Sequence, residues 1–267
     1  VIGLRMGVAG AALATILSQA LSAVLVLWVL MRTKDMHRLE LRKIRFDGRM
    51  FRRIIRIGLP AGLQSVMYTS SNILIQSSVN ALGTDTVAAW TAYSKIDSLF
   101  WMIVNAFGIS ITTFVGQNLG AKQYDRAKKG AKFGILCSIS IAELIGITIY
   151  TTAPVLIAAF NRDPDVVHYG VMQARTIALF YCLLAFTHCI AAVLRGSGNA
   201  AVPMIVLLCV WCLFRVSYIT LAVRLIPDIR VIFWAYPLTW SISSVIFLFL
   251  FLRGNWVHGF EKKVTGR

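Results

Sequence analysis

The chain has 267 residues, 58% of them apolar and only 14% charged, with a mean hydropathy of +0.72. That balance excludes an ordinary soluble domain and predicts a polytopic membrane protein. The net charge of +16 comes from 27 basic and 11 acidic residues. Most of it falls between apolar runs, where the positive-inside rule places it, so nucleic acid is not predicted as a partner.

Cys137, Cys182, Cys189, Cys209 and Cys212 all lie inside apolar runs. An odd number so placed argues against a disulfide framework. Cys209 and Cys212 have CxxC spacing but no accompanying His or second Cys pair, so neither a metal nor a cofactor is expected. No paired carboxylates, His cluster or nucleophile with a base is visible, and an enzyme is not expected.

Seven apolar spans can be read, over 7–31, 57–82, 87–116, 133–160, 169–194, 202–225 and 231–252. The fold class they predict is all-α, a polytopic membrane helix bundle. In the first span Gly3/Gly7 and Gly10/Ala14 have the small-xxx-small spacing of packed membrane helices. Twenty basic residues fall in the gaps on one side and five on the other. The asymmetry predicts an external start and a cytoplasmic carboxy-terminus in the plasma (inner) membrane.

Between the first two spans, residues 46–59 read as an interfacial helix capped by Asp47. Met50, Phe51, Ile54, Ile55 and Leu59 alternate with Arg49, Arg52, Arg53 and Arg56, a pattern suited to an anionic cytoplasmic leaflet, the alternative being a topology signal that simply holds the loop inside. The expected helix ends at Gly58-Leu59-Pro60.

The second span is too polar for a lipid-facing helix. Gln64, Tyr68, Asn72 and Gln76 recur at helical spacing and are candidates to line a water-filled cavity, the alternative being interhelical hydrogen bonds. The third span adds Tyr93, Asn105 and two charges, Lys95 and Asp97. Lys95 lies eight residues in, roughly 12 Å deep, where an ionisable group costs about 3 kcal/mol or more without a partner or a cavity. Two residues apart, Lys95 and Asp97 point in different directions. Lys95, the deeper cation, is the stronger candidate to face a cavity. Glu143 in the fourth span, His188 in the fifth and Arg215 in the sixth are further deep titratable groups. Each is a candidate for ion coupling or charge pairing.

Gly116-Gln117-Asn118-Leu119-Gly120-Ala121, followed by Tyr124, Arg126, Ala127 and Lys128, resembles a loop signature of the multidrug and toxic compound extrusion (MATE) family. So do Gly58-Leu59-Pro60-Ala61, Leu82-Gly83 before Val87-Ala88-Ala89, and Leu194-Arg195-Gly196-Ser197-Gly198-Asn199 before Pro203-Met204. Order and spacing are similar to the carboxy-terminal half of such a transporter. The resemblance implies helices six to twelve of a twelve-helix protein. Residues 1–32 would close an amino-terminal lobe missing from this chain, 33–56 would be a basic linker, 57–253 a six-helix lobe, and 254–267 a cytoplasmic tail. It implies export of amphipathic, cationic small molecules by alternating access, in exchange for sodium ions or protons. A flippase for lipid-linked saccharides, from the related superfamily, is the alternative. Relatives carry a Glu eight residues after the Pro, where this chain has Tyr68, and an Asp eleven residues before the Arg-Gly, where it has Leu184. The resemblance therefore leaves two expectations: coupling by an acid of the missing lobe, with Lys95 or Arg215 as its charge partner, or by Glu143 or Asp97 here. The first is preferred.

Overall fold

The computed structural model describes residues 7–33, 38–40, 45–226, 228–253 and 256. Gly3 of the Gly3/Gly7 pair and nearly all of the expected tail therefore lie outside the described residues. Among those described, every regular element is a helix, and the chain is an all-α polytopic membrane protein. It divides into two units, Val1–Arg52 and Arg53–Arg267.

The first unit is built on α1 (Gly7–Arg32), exposed along its described length. Its segment Ala12–Arg32 is long and apolar enough to cross a membrane.

The second unit opens within α2 (Gly48–Asn80). Here the expectation of a separate interfacial helix needs correction. The amphipathic residues form the first turns of one continuous helix, with Pro60 inside it. Asp47 does cap it: its Oδ1 accepts from the Arg49 and Met50 amides at 2.7 and 3.2 Å. Next come α3 (Thr84–Gly120) and α4 (Tyr124–Ala158). The fifth and sixth spans are each interrupted. α5 (Pro164–Ile177) passes through a 3₁₀ turn at Ala178–Phe180 into α6 (Tyr181–Gly196). α7 (Ala201–Leu207) passes through a π segment at Leu208–Phe214 into α8 (Arg215–Leu225). α9 (Ile229–Arg253) closes the unit. Five spans of this unit are long and apolar enough to cross a membrane, the first of them α3; the polar α2 falls short of the same hydropathy.

α3, α4, α5 and α6 pack closely on one another, α9 packs on α6, and α8 packs on α9. α2 joins the bundle through side chains instead. Ile75 and Val79 bury themselves against Ile219, Ile232 and Ala235, and Ser71 Oγ donates to the Trp211 carbonyl inside the π segment at 3.3 Å. A helix held off by its side chains leaves space beside it, and the site described below occupies that space.

The signature residues Gly116, Gln117, Asn118 and Gly120 were expected in a loop, with Arg195 and Gly196 in another. The structure places both sets in the last turns of helices, α3 and α6. Each helix ends in a Schellman cap. Gln123 N bonds Asn118 O at 2.8 Å and Lys122 N bonds Leu119 O at 3.0 Å; Asn199 N bonds Leu194 O and Gly198 N bonds Arg195 O, both at 2.9 Å. The cap position is left-handed in both, with φ of 58° at Lys122 and 76° at Gly198. Only the second carries the residue that adopts this conformation without a steric cost. Lys122→Gly is therefore expected to stabilise the protein by about 1 kcal/mol, read as a rise in thermal midpoint in detergent.

Candidate functional site

Asp97 and Trp101 lie one turn apart on α3, and Trp90, Tyr93 and Ser94 continue the same face. They form one wall of a cavity of about 210 Å³. Tyr68, Asn72 and Gln76 of α2, Gln173 and Ile177 of α5, Trp211, Arg215, and Tyr236 and Trp240 of α9 complete it. A second cavity of about 420 Å³ is lined by Gln64, Ser65, Asn105, His188, Arg195, Leu207, Leu208 and Cys212. Three aromatic residues belong to both, Tyr68, Trp101 and Trp211. Their ring centroids are 6.0, 6.1 and 6.4 Å apart, so they form the partition between the cavities.

Asp97 is the acid of the first cavity. Tyr181 Oη donates to its Oδ1 at 2.6 Å, and Tyr93 Oη lies 2.8 Å from Tyr181 Oη. A phenol has one proton to give. With that of Tyr181 committed to the carboxylate, Tyr93 donates to Tyr181, and the three groups form a directed chain ending on Asp97. The chain is rigid because the Tyr181 ring stacks on Phe100 at 3.7 Å and both side chains are buried. The 3₁₀ turn just before Tyr181 sets where α6 begins, and so where this hydroxyl points.

Arg215 is the base of the same cavity and is only 1% exposed. Nε donates to Thr239 Oγ1 at 3.1 Å, and Nη2 donates to the same oxygen. The guanidinium carbon lies 4.4 Å from the Tyr236 ring centroid and 5.2 Å from that of Trp211. No carboxylate lies within ion-pair distance of it among the described residues. The π segment ends where Arg215 begins. A π turn carries one extra residue and rotates everything after it relative to a regular helix, which fixes the register of Arg215.

The other expected residues are distributed as follows. Tyr68, Asn72, Gln76 and Tyr93 line the first cavity, and Gln64, Asn105 and His188 the second. His188 stands between Trp101 and Trp211, at 5.0 and 5.5 Å, and its Nε2 has no partner among the described residues. Lys95 lines neither cavity. It is exposed on an outward stripe of α3 with Leu99, Met102 and Ile109, because two residues along a helix turn a side chain through about 200°. Glu143 lines neither cavity; it is half-buried on α4 against Cys182 of α6. Leu184, where relatives were expected to carry an acid, is fully buried in the core.

The aromatic walls were not expected from the sequence. Trp90, Trp101, Trp211, Tyr236 and Trp240 all line the first cavity. Their signal was present as repeated spacing, Tyr236 four residues before Trp240 and Trp90, Asp97 and Trp101 at multiples near 3.6, but alone such stripes read equally well as core.

The MatE family profile matches residues 60–220. The chain is 26% identical over 207 residues to the probable multidrug resistance protein YoeA of Bacillus subtilis, covering 76% of this chain and 44% of that protein. It is 26% identical over 204 residues to the probable multidrug resistance protein NorM of Thermotoga maritima, covering 76% of this chain and 43% of that protein. The chain thus spans less than half the length of these curated relatives. Among solved structures, the outward-facing conformation of a multidrug resistance MATE family transporter of the MOP superfamily superposes with a TM-score of 0.87. It is 19% identical and covers 98% of this chain and 58% of that one. At that identity the likeness speaks for the fold.

Proposed function

The chain belongs to the MatE family, and from that premise we propose that it supplies one lobe of an exporter that exchanges aromatic, amphipathic compounds for a cation. The relatives named multidrug resistance proteins support the drug-efflux part of this reading. Lys122, Arg126, Lys128, Lys129 and Lys132 just after Gly120 support a cytoplasmic position for that helix end in the plasma membrane, and the Arg195 end lies beside it, Gly116 facing the Gly196 carbonyl. The second cavity, which Arg195 lines, then opens toward the cytoplasm, and the first lies beyond the aromatic partition.

The single observation carrying the coupling is the Tyr93–Tyr181–Asp97 chain. This replaces the sequence-based preference for an acid of another lobe paired with Lys95 or Arg215. A carboxylate within a membrane bundle is costly unless it holds a proton or faces a compensating charge. Asp97 meets both conditions in turn. Protonated, it is neutral; ionised, it keeps the Tyr181 hydrogen bond and offers its charge to a cationic substrate against the π-faces of Trp90 and Trp101. A proton and a substrate cation then compete for one carboxylate, which is the requirement for exchange. The hydrogen bond from the Tyr181 phenol to the carboxylate supports a proton as the coupling ion.

The test is ethidium efflux from exporter-deficient cells expressing the gene that encodes this chain, with a proton or a sodium gradient imposed in turn. Efflux that follows the proton gradient is expected. Efflux that follows only sodium would overturn the proton assignment, and none with either gradient, at full membrane expression, would overturn export and favour the saccharide-lipid flippase.

A further inference from the structure

The exchange reading uses Asp97 and leaves Arg215 unexplained. Arg215 is a fully buried guanidinium on a wall that also carries two unsatisfied polar atoms, Trp240 Nε1 and Gln173 Oε1. Trp240 is 3% exposed and Gln173 2%. A buried donor without an acceptor is costly, and native proteins leave few of them. Charge makes the imbalance sharper. The hydrogen bonds of Arg215 go to one neutral oxygen, Thr239 Oγ1, and the ring faces of Tyr236 and Trp211 supply only a partial counter-charge. Asp97 borders the same cavity but makes no ion pair with it among the described residues; its Oδ1 is taken by Tyr181. A planar, five-donor group in a low-dielectric pocket suits a carboxylate or phosphate oxygen pair.

We propose that Arg215 and Trp240 Nε1 form an anion-accepting subsite, so that the cavity takes aromatic carboxylates or phosphates as well as cations, the ring of such a ligand lying against Tyr236 and Trp211. The proposal rests on the cavity being the substrate's path. It adds a charge class of substrate that Asp97 alone would repel. The two charged groups then set selectivity against each other, with Arg215 drawing the anionic group in and Asp97 opposing it across the cavity.

The test compares 2-naphthoate with neutral 2-naphthamide by isothermal titration calorimetry on the full-length protein carrying this chain, in nanodiscs. The two ligands share a ring and differ in charge. The wild type is expected to bind naphthoate about tenfold more tightly, the scale of one charge-assisted hydrogen-bonded contact. R215Q is expected to abolish the preference, weakening naphthoate more than naphthamide, R215K to retain part of it, and D97N to increase it. Phenyl phosphate against phenol, measured in the same way, separates a phosphate from a carboxylate site. Should removal of the charge prevent folding, R215K and D97N still decide, since they must move the ratio in opposite directions. A wild-type ratio near one, or a ratio untouched in R215Q, overturns the subsite and leaves the exchange reading standing. If neither naphthalene binds, the subsite is overturned, and the exchange reading then stands or falls on ethidium efflux alone.

Discussion

Asp97→Asn is expected to abolish the proposed proton-driven efflux while the protein inserts and accumulates as the wild type does. Asparagine keeps the shape of the side chain, and its carbonyl can accept the Tyr181 hydrogen bond, so the cost to stability is about 1 kcal/mol or less. It cannot bind or release a proton. Substrate would still enter the cavity, but nothing would exchange for it. Tyr181→Phe separates proton transfer from charge: it preserves the stack on Phe100 while removing the donor to the carboxylate and the oxygen linking it to Tyr93. A buried acceptor left without its donor costs about 1–3 kcal/mol, so a partial loss of efflux is expected with some loss of stability. Everted membrane vesicles under an imposed pH gradient, with dye fluorescence as the readout, test both variants. Wild-type efflux from Asp97→Asn would remove this carboxylate from the mechanism.

The sequence made the class and the helical order legible because membrane burial leaves long apolar runs and a charge bias between them, both local properties. The stripe of Gln64, Tyr68, Asn72 and Gln76 on α2 was legible for the same reason, since amides in an apolar run are conspicuous. Two kinds of information were not local. The 3₁₀ turn at Ala178–Phe180 and the π segment at Leu208–Phe214 interrupt spans whose composition is uniformly apolar, and hydropathy does not register a change of hydrogen-bond step. Each break decides where the next candidate side chain points, Tyr181 in one case and Arg215 in the other. The choice between Lys95 and Asp97 turns on the same kind of information. Depth in the membrane can be counted along a sequence, but which side of α3 faces α5, α6 and α9 depends on their packing. Asp97 shares its face with Trp101 and Tyr93; Lys95 shares its own with Leu99 and Met102. The GQNLG signature was misplaced as a loop because its glycines suit a turn, whereas the Schellman cap lies just beyond them at Lys122.

Gly146→Ala links the fold to the site and carries the second large expected effect. Gly146 sits midway along α4 where that helix meets the interruption between α5 and α6. A methyl group there would overlap the Ala178 carbonyl oxygen, which already accepts the Tyr181 amide within the 3₁₀ turn. Backbone cannot rotate away as a side chain can, so α4 must move off the turn or the turn must unwind. Overpacking of this kind costs about 1–3 kcal/mol, a fall in thermal midpoint of roughly 5 °C for a chain of this size. Displacing the turn also shifts Tyr181, so efflux should fall as well. Gly130→Ala is the comparison, because a methyl group there meets the edge of the Phe114 ring, a side chain that can turn aside. The overlap there is the closer of the two but falls on a side chain, so its midpoint should drop by less than that of Gly146→Ala. Circular dichroism melts of the two variants in detergent settle the matter: equal midpoints for Gly146→Ala and Gly130→Ala would mean that α4 is free to slide over the break. In that event the position of Tyr181, and of the carboxylate it serves, would be set by Phe100 and Tyr93 alone.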